Sequence, residues 1–275
     1  EPVSLDGREH VVVAIDDKGF ARVSNVGGVN PQMAVARPVI FANGVEGVVY
    51  NERVEKGLPD VTMAKLYVDL GCTTREEAEA KVSVGDMCIF KGDVVEMGTR
   101  ISSPTLDDRI ACAVLVDAIK QHRSEHDVYY AFTVQEEVGL RGAGTAAYGV
   151  YPDLGISLDV TGTGDTPEAL PMAVEIGCGP TVKYMDSSVV VAPIMTKFMA
   201  DAAEEAGIPF QREVLRGGGT DTGAVQRTKG GVLAGCISIG TRYIHSPVET
   251  CDMRDVEGAV KLVLACIAKK ELPHR

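Results

Sequence analysis

The chain has no tryptophan, and only 5% of its 275 residues are aromatic. Sugar-binding clefts are built on stacked rings, so glycan hydrolysis by a carboxylate pair is disfavoured at the outset. Basic residues are also scarce, with 27 Lys and Arg against 39 Asp and Glu, a net charge of −12. That balance removes the basic footprint nucleic acid requires and disfavours anionic membranes. No apolar run approaches the ~20 residues a bilayer-spanning helix needs. The opening Glu1-Pro2-Val3-Ser4-Leu5-Asp6 has neither the basic end nor the apolar stretch of a signal peptide. The seven cysteines (72, 88, 112, 178, 236, 251, 266) are odd in number and contain no Cys-x-x-Cys pair. Most sit in apolar stretches, as Cys236 does within 232–239. Buried thiols in a reducing cytoplasm are expected, not a disulfide framework.

What remains is ordinary globular material. Hydrophobic residues make up 45% and charged residues 24%, and the length suffices for one large domain or two smaller ones. Two textures divide it. Over 10–100 short strands alternate with turn signals: His10–Ile15 before Asp16-Asp17-Lys18-Gly19, Ala21–Val26 before Gly27-Gly28, then Val39–Phe41, Asn43-Gly44 and Val45–Tyr50. Ala64–Val68 and Asp86–Lys91 follow. This spacing predicts a small β domain. Thr74 to Lys81 alone reads as helical, with Thr74 as its cap.

From Leu106 onward strands and helices alternate. Ile110–Ile119 predicts a buried helix, Val128–Val134 a strand, Ala143–Tyr148 a short helix and Leu154–Val160 a strand. Pro193–Ala206 and Val256–Lys270 predict helices, and Val232–Ile239 a buried strand. Such alternation indicates an α/β sheet with helices on its faces.

Chemistry-bearing residues fall at the ends of these segments. Asp107-Asp108 opens the buried helix, Glu136-Glu137 ends one strand, Asp159 ends the next, and His245 follows a third. Ligands in open α/β sheets bind beyond the carboxyl ends of strands. Carboxylate and imidazole donors suit Zn, Co or Mn better than Ca or Mg, and a neighbouring carboxylate that is not a ligand can carry the proton. Each residue also has a plain structural alternative. Asp107 or Asp108 can be a helix N-cap, Glu136-Glu137 a solvated turn, Asp159 an Asx-turn and His245 a loop histidine. Gly217-Gly218-Gly219-Thr220-Asp221 lacks the Gly-Lys-[Ser/Thr] ending of a phosphate loop; its glycines instead let backbone approach a substrate closely. His122 and His126, beside Lys120 and Arg123, read as a solvated face. Structural salt bridges are the expected role for Arg216 and Arg242.

Together these segments resemble a known family. Leu106-Asp107-Asp108-Arg109, Gln135 to Ala143, Leu158-Asp159-Val160, Gly218 to Gly223 and Arg242 to Glu249 are similar to the M42 dinuclear metal aminopeptidases, which include glutamyl aminopeptidases, TET peptidases and some endoglucanase-labelled members. Gly19-Phe20 and Gly27 to Gln32 fit the same pattern. The resemblance implies a zinc-aminopeptidase-like mixed sheet flanked by helices, with an inserted, small, β-barrel-like dimerisation domain at 28–98. Residues 1–27 and 99–275 would then form the catalytic domain. It implies two divalent ions, zinc or cobalt, and peptide substrates cleaved at the N-terminus. Asp107 would bridge the ions, preceding a cis peptide bond to Asp108. Glu137 and His245 would hold one ion and Asp159 the other, with Glu136 as general base. Gly218, Gly219, Thr220 and Tyr243 would contact substrate. Dimers, and often dodecameric shells, would form.

One part of the pattern departs. The family places His-x-Asp-Glu before the strand leading to Ile15-Asp16-Asp17-Lys18-Gly19-Phe20. Counting back puts Ser4 at the His and Asp6 at the Asp that orients it. His10, six positions on and roughly 20 Å away along a strand, does not substitute. A shortened or altered N-terminal region is expected, and with it a weakened Asp159 metal site. The alternative function is therefore a catalytically impaired assembly subunit.

Overall fold

The computed structural model describes residues 9–274. It divides into two compact units: the described residues up to Asp93 together with His245–Pro247, and Val94–Ile244 with the residues from Val248 onward.

In the first unit, β1 (Glu9–Ile15), β2 (Phe20–Val26), β3 (Arg37–Phe41), β4 (Glu46–Asn51), β5 (Leu66–Asp69) and β6 (Met87–Phe90) form a closed barrel in the order β1-β2-β5-β4-β3-β6. The turn chemistry explains its hairpins. Asp16 Oδ1 accepts the N–H groups of Lys18 and Phe20, both at 3.0 Å, and Gly19 adopts φ +84°, where a Cβ would lie 2.7 Å from the Thr74 carbonyl oxygen. Asn43 caps its own turn by accepting Val45 N–H at 3.1 Å, and Gly44 follows at φ +85°. Inward positions are Val12, Val39, Phe41, Val49, Leu66, Val68 and Cys88, each apolar group gaining roughly 1.5–3 kcal/mol by burial. Closure leaves no free sheet edge. Between the strands lie α1 (Pro31–Ala34) and α2 (Arg75–Glu79). Thr74 caps α2 as expected, accepting Glu77 N–H. The barrel takes in β1 and β2, in line with the strand texture over 10–100, whereas the resemblance implies a catalytic segment at 1–27; pairing of β1 with β6 and of β2 with β5 joins them to the barrel.

The second unit is a mixed sheet flanked by helices. In chain order its elements are β7 (Val95–Met97), β8 (Arg100–Ser103), α3 (Leu106–Gln121), α4 (Arg141–Val150), β9 (Leu154–Thr161), β10 (Thr181–Met185), α5 (Pro193–Glu205), β11 (Gln211–Val214), α6 (Asp221–Gln226), β12 (Leu233–Arg242), β13 (Glu249–Asp252) and α7 (Met253–Ile267). The sheet order is β11-β10-β12-β13-β8-β7, with β9 parallel to β12. Alternation along each strand sends successive side chains to opposite faces. Leu158, Val160, Val182, Ile237 and Ile239 join Ile110, Val114, Met195, Met199, Val256 and Leu262 in the core beneath α3, α5 and α7. The opposite parity of the same strands carries Asp159, Thr161, Thr181, Lys183, Glu213 and Ser238, all buried.

The expected strand Val128–Val134 forms no ladder among the described residues. A strand exists only through a neighbour's hydrogen bonds, and an apolar run cannot reveal whether that neighbour is there. No disulfide forms among the described residues, and no helix among them is long and apolar enough to cross a membrane.

Candidate metal centre

The acidic site is assembled from four stretches of the second unit. Asp107 and Asp108 stand at the head of α3 with non-helical dihedrals, joined by a cis peptide bond. The Asp107 N–H donates to Glu249 Oε2 at 2.9 Å, so a fully buried carboxylate at the start of β13 anchors the backbone that carries Asp107. Asp159 lies near the carboxyl end of β9, where its Oδ1 accepts the Val160 N–H at 2.8 Å.

Glu136 and Glu137 enter the turn that leads into α4. The Glu136 carbonyl accepts the N–H groups of Gly139 (3.0 Å) and Leu140 (2.8 Å), and the Val134 carbonyl accepts that of Gly142 at 2.9 Å. A Cβ on Gly142 would sit 2.5 Å from Val134 N and O, so the glycine permits the helix to start against the chain that precedes it. Both glutamates are half-buried. They are part of a hydrogen-bonded turn, not a freely solvated one.

Asp107, Asp108 and Asp159 each offer a carboxylate oxygen within 4.8 Å of one another, and Asp107 also offers one within 4.8 Å of a Glu137 oxygen. Asp107 therefore belongs to both groupings. Asp108, like Asp107 a candidate ligand or helix N-cap from its place at the helix start, lies inside the cluster. Its Oδ1 is buried without a hydrogen-bond partner among the described residues. Burial pushes the Asp108 carboxyl well above the ordinary range, and the charges of Asp159, Asp107, Cys112 and Glu136 push it further. Asp159 is raised in the same way, first by burial, then by Asp107 and Glu136, with Lys183 opposing. Shielded carboxylates at this spacing repel one another unless protons or a cation lie among them. An oxygen-rich, partly buried donor set with an orphaned buried oxygen fits a divalent cation.

The remaining predicted residues fall as follows. His245 adopts φ +65° between β12 and β13 and packs in the first unit, where a Cβ on Gly28 would lie 2.7 Å from its Nδ1. Because β9 and β12 are parallel, β12 ends at Arg242 at the same sheet end as Asp159. Tyr243 is half-exposed at φ +58°. Gly218 takes φ +73°, and a Cβ on Gly219 would meet Ser188 Cβ at 3.1 Å, so both glycines meet a backbone requirement. Thr220 is a correction: it is 1% exposed and its hydroxyl donates to Asp186 Oδ2 at 3.0 Å. Its side chain therefore shapes the loop and is not presented to a ligand. Arg242 forms the expected salt bridge, to Asp165 at 2.7 Å. His122 and His126 are partly exposed beside exposed Lys120 and Arg123, and they bond to the Tyr130 hydroxyl and the Lys269 carbonyl, each at 2.9 Å. Ser4 and Asp6 lie outside the described residues.

Comparison with known proteins agrees with this geometry. Residues 9–262 match the family model described as M42 glutamyl aminopeptidase. A putative aminopeptidase of Acetivibrio thermocellus is 47% identical over 258 residues, covering 94% of this chain and 78% of that protein. An aminopeptidase structure from Desulfurococcus kamchatkensis superposes with a TM-score of 0.89 at 36% identity, covering 94% of this chain and 76% of that one. The TET1 peptidase of Pyrococcus horikoshii, which can assemble into a tetrahedron or a large octahedral shell, gives a TM-score of 0.84 at 32% identity, covering 95% and 80%. These relatives are hydrolases acting on peptide bonds, and the chain belongs to the M42 glutamyl aminopeptidase family.

Proposed function

We propose that the chain is a metal-dependent aminopeptidase that removes N-terminal residues from peptides, using two divalent ions, zinc or cobalt. The observation that carries this reading is the sharing of Asp107 between the Glu137 pair and the Asp108–Asp159 cluster. A shared carboxylate is what a bridging ligand requires. Glu137 and His245 complete one position, and Asp159 belongs to the other. His245 enters this set through the likeness of Arg242 to Glu249 to the family pattern. Bound ions would lower the pKa of water and polarise the scissile carbonyl.

Glu136 is the general base. Adjacent to the ligand Glu137 and held by its turn, it accepts a proton from water and returns it to the leaving amine. Asp6 stands where the family pattern has the residue that orients a metal-binding histidine, and the histidine position itself holds Ser4. Gly218 and Gly219 offer unhindered backbone, and half-exposed Tyr243 a ring, to the peptide. The chain self-associates as a dimer and dodecamer, with the barrel as the dimerisation surface; the shells that the Pyrococcus horikoshii relative forms support self-association. A cytoplasmic setting agrees with a cysteine set that forms no disulfide among the described residues.

A second reading retains the fold and assembly but not hydrolysis. The Asp107–Asp108–Asp159 cluster has no histidine, and Ser4 stands where the family pattern has one. Metal analysis and turnover of aminoacyl-anilides separate the two. Two tightly held ions per chain with hydrolysis support the enzyme; one ion, a stable oligomer and no turnover with added Co or Zn support the impaired subunit.

A further inference from the structure

Lys183 is the one buried lysine or arginine among the described residues. It lies on the polar face of the sheet, and its strand position is flanked by Glu213 on β11. Two residues earlier on the same face, Thr181 pairs with Ser238 on β12, which pairs with Asp159 on β9. Its ammonium donates to Glu213 and lies 3.5 Å from Asp186 Oδ2. Glu213 also accepts the hydroxyls of Thr161 (2.8 Å) and Thr181 (2.6 Å), so its acceptor capacity is well used.

Asp186 carries the connection outward. Its Oδ1 accepts the Ser188 N–H and hydroxyl, both at 2.7 Å, and the Val189 N–H at 2.9 Å. Its Oδ2 accepts the Thr220 hydroxyl. Ser188 Oγ in turn accepts the Thr220 N–H at 3.3 Å, while Ser187 N–H donates to the Gly218 carbonyl at 3.1 Å. Beneath the loop, a Cβ on Gly223 would lie 2.6 Å from Ser188 Oγ. The next residue, Asp221, accepts the Thr133 hydroxyl, three positions before Glu136. The Gly218–Asp221 loop is thus held at one end by a buried cation's partner and at the other by the segment that delivers the proposed base.

A buried ion pair is seldom more stable than a well-packed apolar substitute, so stability alone does not account for this cluster. We propose that Lys183 is a positioning residue: through Asp186 and Thr220 it holds the Gly218–Thr220 backbone in the geometry that receives the peptide. This rests on the aminopeptidase reading of the loop.

The test uses the full chain loaded with cobalt or zinc and an aminoacyl-anilide series. Thr220→Val removes the hydroxyl without leaving a charge unpaired. KM should rise about tenfold, the size of a lost hydrogen bond to a charged group, with kcat within about twofold. Amide exchange at 217–220 should accelerate, Thr220→Ser should restore both, and Lys183→Met should match or exceed the valine variant. If Lys183→Met does not fold, Thr220→Val decides. An unchanged KM with unchanged exchange, or a serine variant as damaged as the valine one, overturns the proposal. A wild-type chain that hydrolyses nothing overturns the aminopeptidase reading instead, and exchange at 217–220 still reports on the Lys183 linkage.

Discussion

The two units bury apolar side chains in similar fashion but differ in what else they bury. Among the described residues up to Asp93, His10 is the single buried polar or charged side chain. The mixed-sheet unit buries Asp107, Asp159, Lys183, Asp186, Glu213, Glu249, Asp252 and Asp255. An apolar barrel can be held by area alone, because closing the sheet satisfies its backbone and leaves little polar to accommodate. The second unit must instead pair, hydrogen-bond or neutralise each ionised group it takes from water. Lys183 and the Asp252 cap on α7 do so outside the acidic cluster, and the Glu249 bond to the Asp107 N–H does so at its edge. Asp159 has the Val160 N–H and the Lys183 charge in partial compensation, whereas Asp108 Oδ1 is buried without a hydrogen-bond partner among the described residues, an arrangement a bound cation would fit. The contrast teaches where to look for chemistry: in the unit whose buried charge exceeds what its own side chains can balance.

Three experiments sharpen the contrast, beginning with the largest effect. Glu136→Gln should lower kcat by about 10²–10⁴-fold, the range for a positioned general base, with metal content unchanged. Steady-state kinetics beside metal analysis reads both, and undiminished turnover removes Glu136 from its role.

The barrel's exception comes next. His10 contacts Phe90 edge-on at 5.3 Å, and both its ring nitrogens are buried without hydrogen-bond partners among the described residues. Burial lowers its pKa from 6.5 to about 4. The unfolded chain therefore takes up a proton between pH 6.5 and 4 that the folded chain refuses. Stability is lost as pH falls through that window and levels off below it, by about 3 kcal/mol in all. Urea unfolding of wild type and His10→Phe across these pH values should show the difference between them growing by that amount. A constant difference would mean that the imidazole is not buried neutral.

Gly28→Ala should act more weakly. The added methyl meets His245 Nδ1 at 2.7 Å and must displace the ring, so metal affinity should fall about 10–100-fold, as when a ligand's support is disturbed. Competition titration against a chelator measures it. An unchanged affinity would mean that the barrel unit contributes no constraint on His245.

Much of the barrel was legible because short-range chemistry specifies it. Asp16 to Gly19 and Asn43-Gly44 make turns whose hydrogen bonds lie within four residues, and the runs between them alternate. Less of the second unit was legible. β10 and β11 escaped notice, since Lys183 and Glu213 interrupt short strands with charges that only a buried partner makes tolerable. Val128–Val134 looked like a strand and forms no ladder. Among site residues, Asp107, Glu137 and Asp159 stood out at element ends. Asp108 stood beside Asp107 as a candidate, but the resemblance gave it no ligand role, and only the bend at the head of α3 brings it into the cluster.

By itself the sequence determined the alternation of elements, the turns, the apolar faces and the kinds of donor available for a site. Those are local properties, decided by side-chain chemistry and by bonds spanning a few residues. Tertiary structure alone decided that Asp107 serves two groupings, that Asp108 joins Asp159 and that Lys183 reaches Thr220 through Asp186. No local interaction favours gathering like charges from distant positions. Their convergence is imposed by the register of β9, β10 and β12 and by the packing of α3, which outweigh the repulsion.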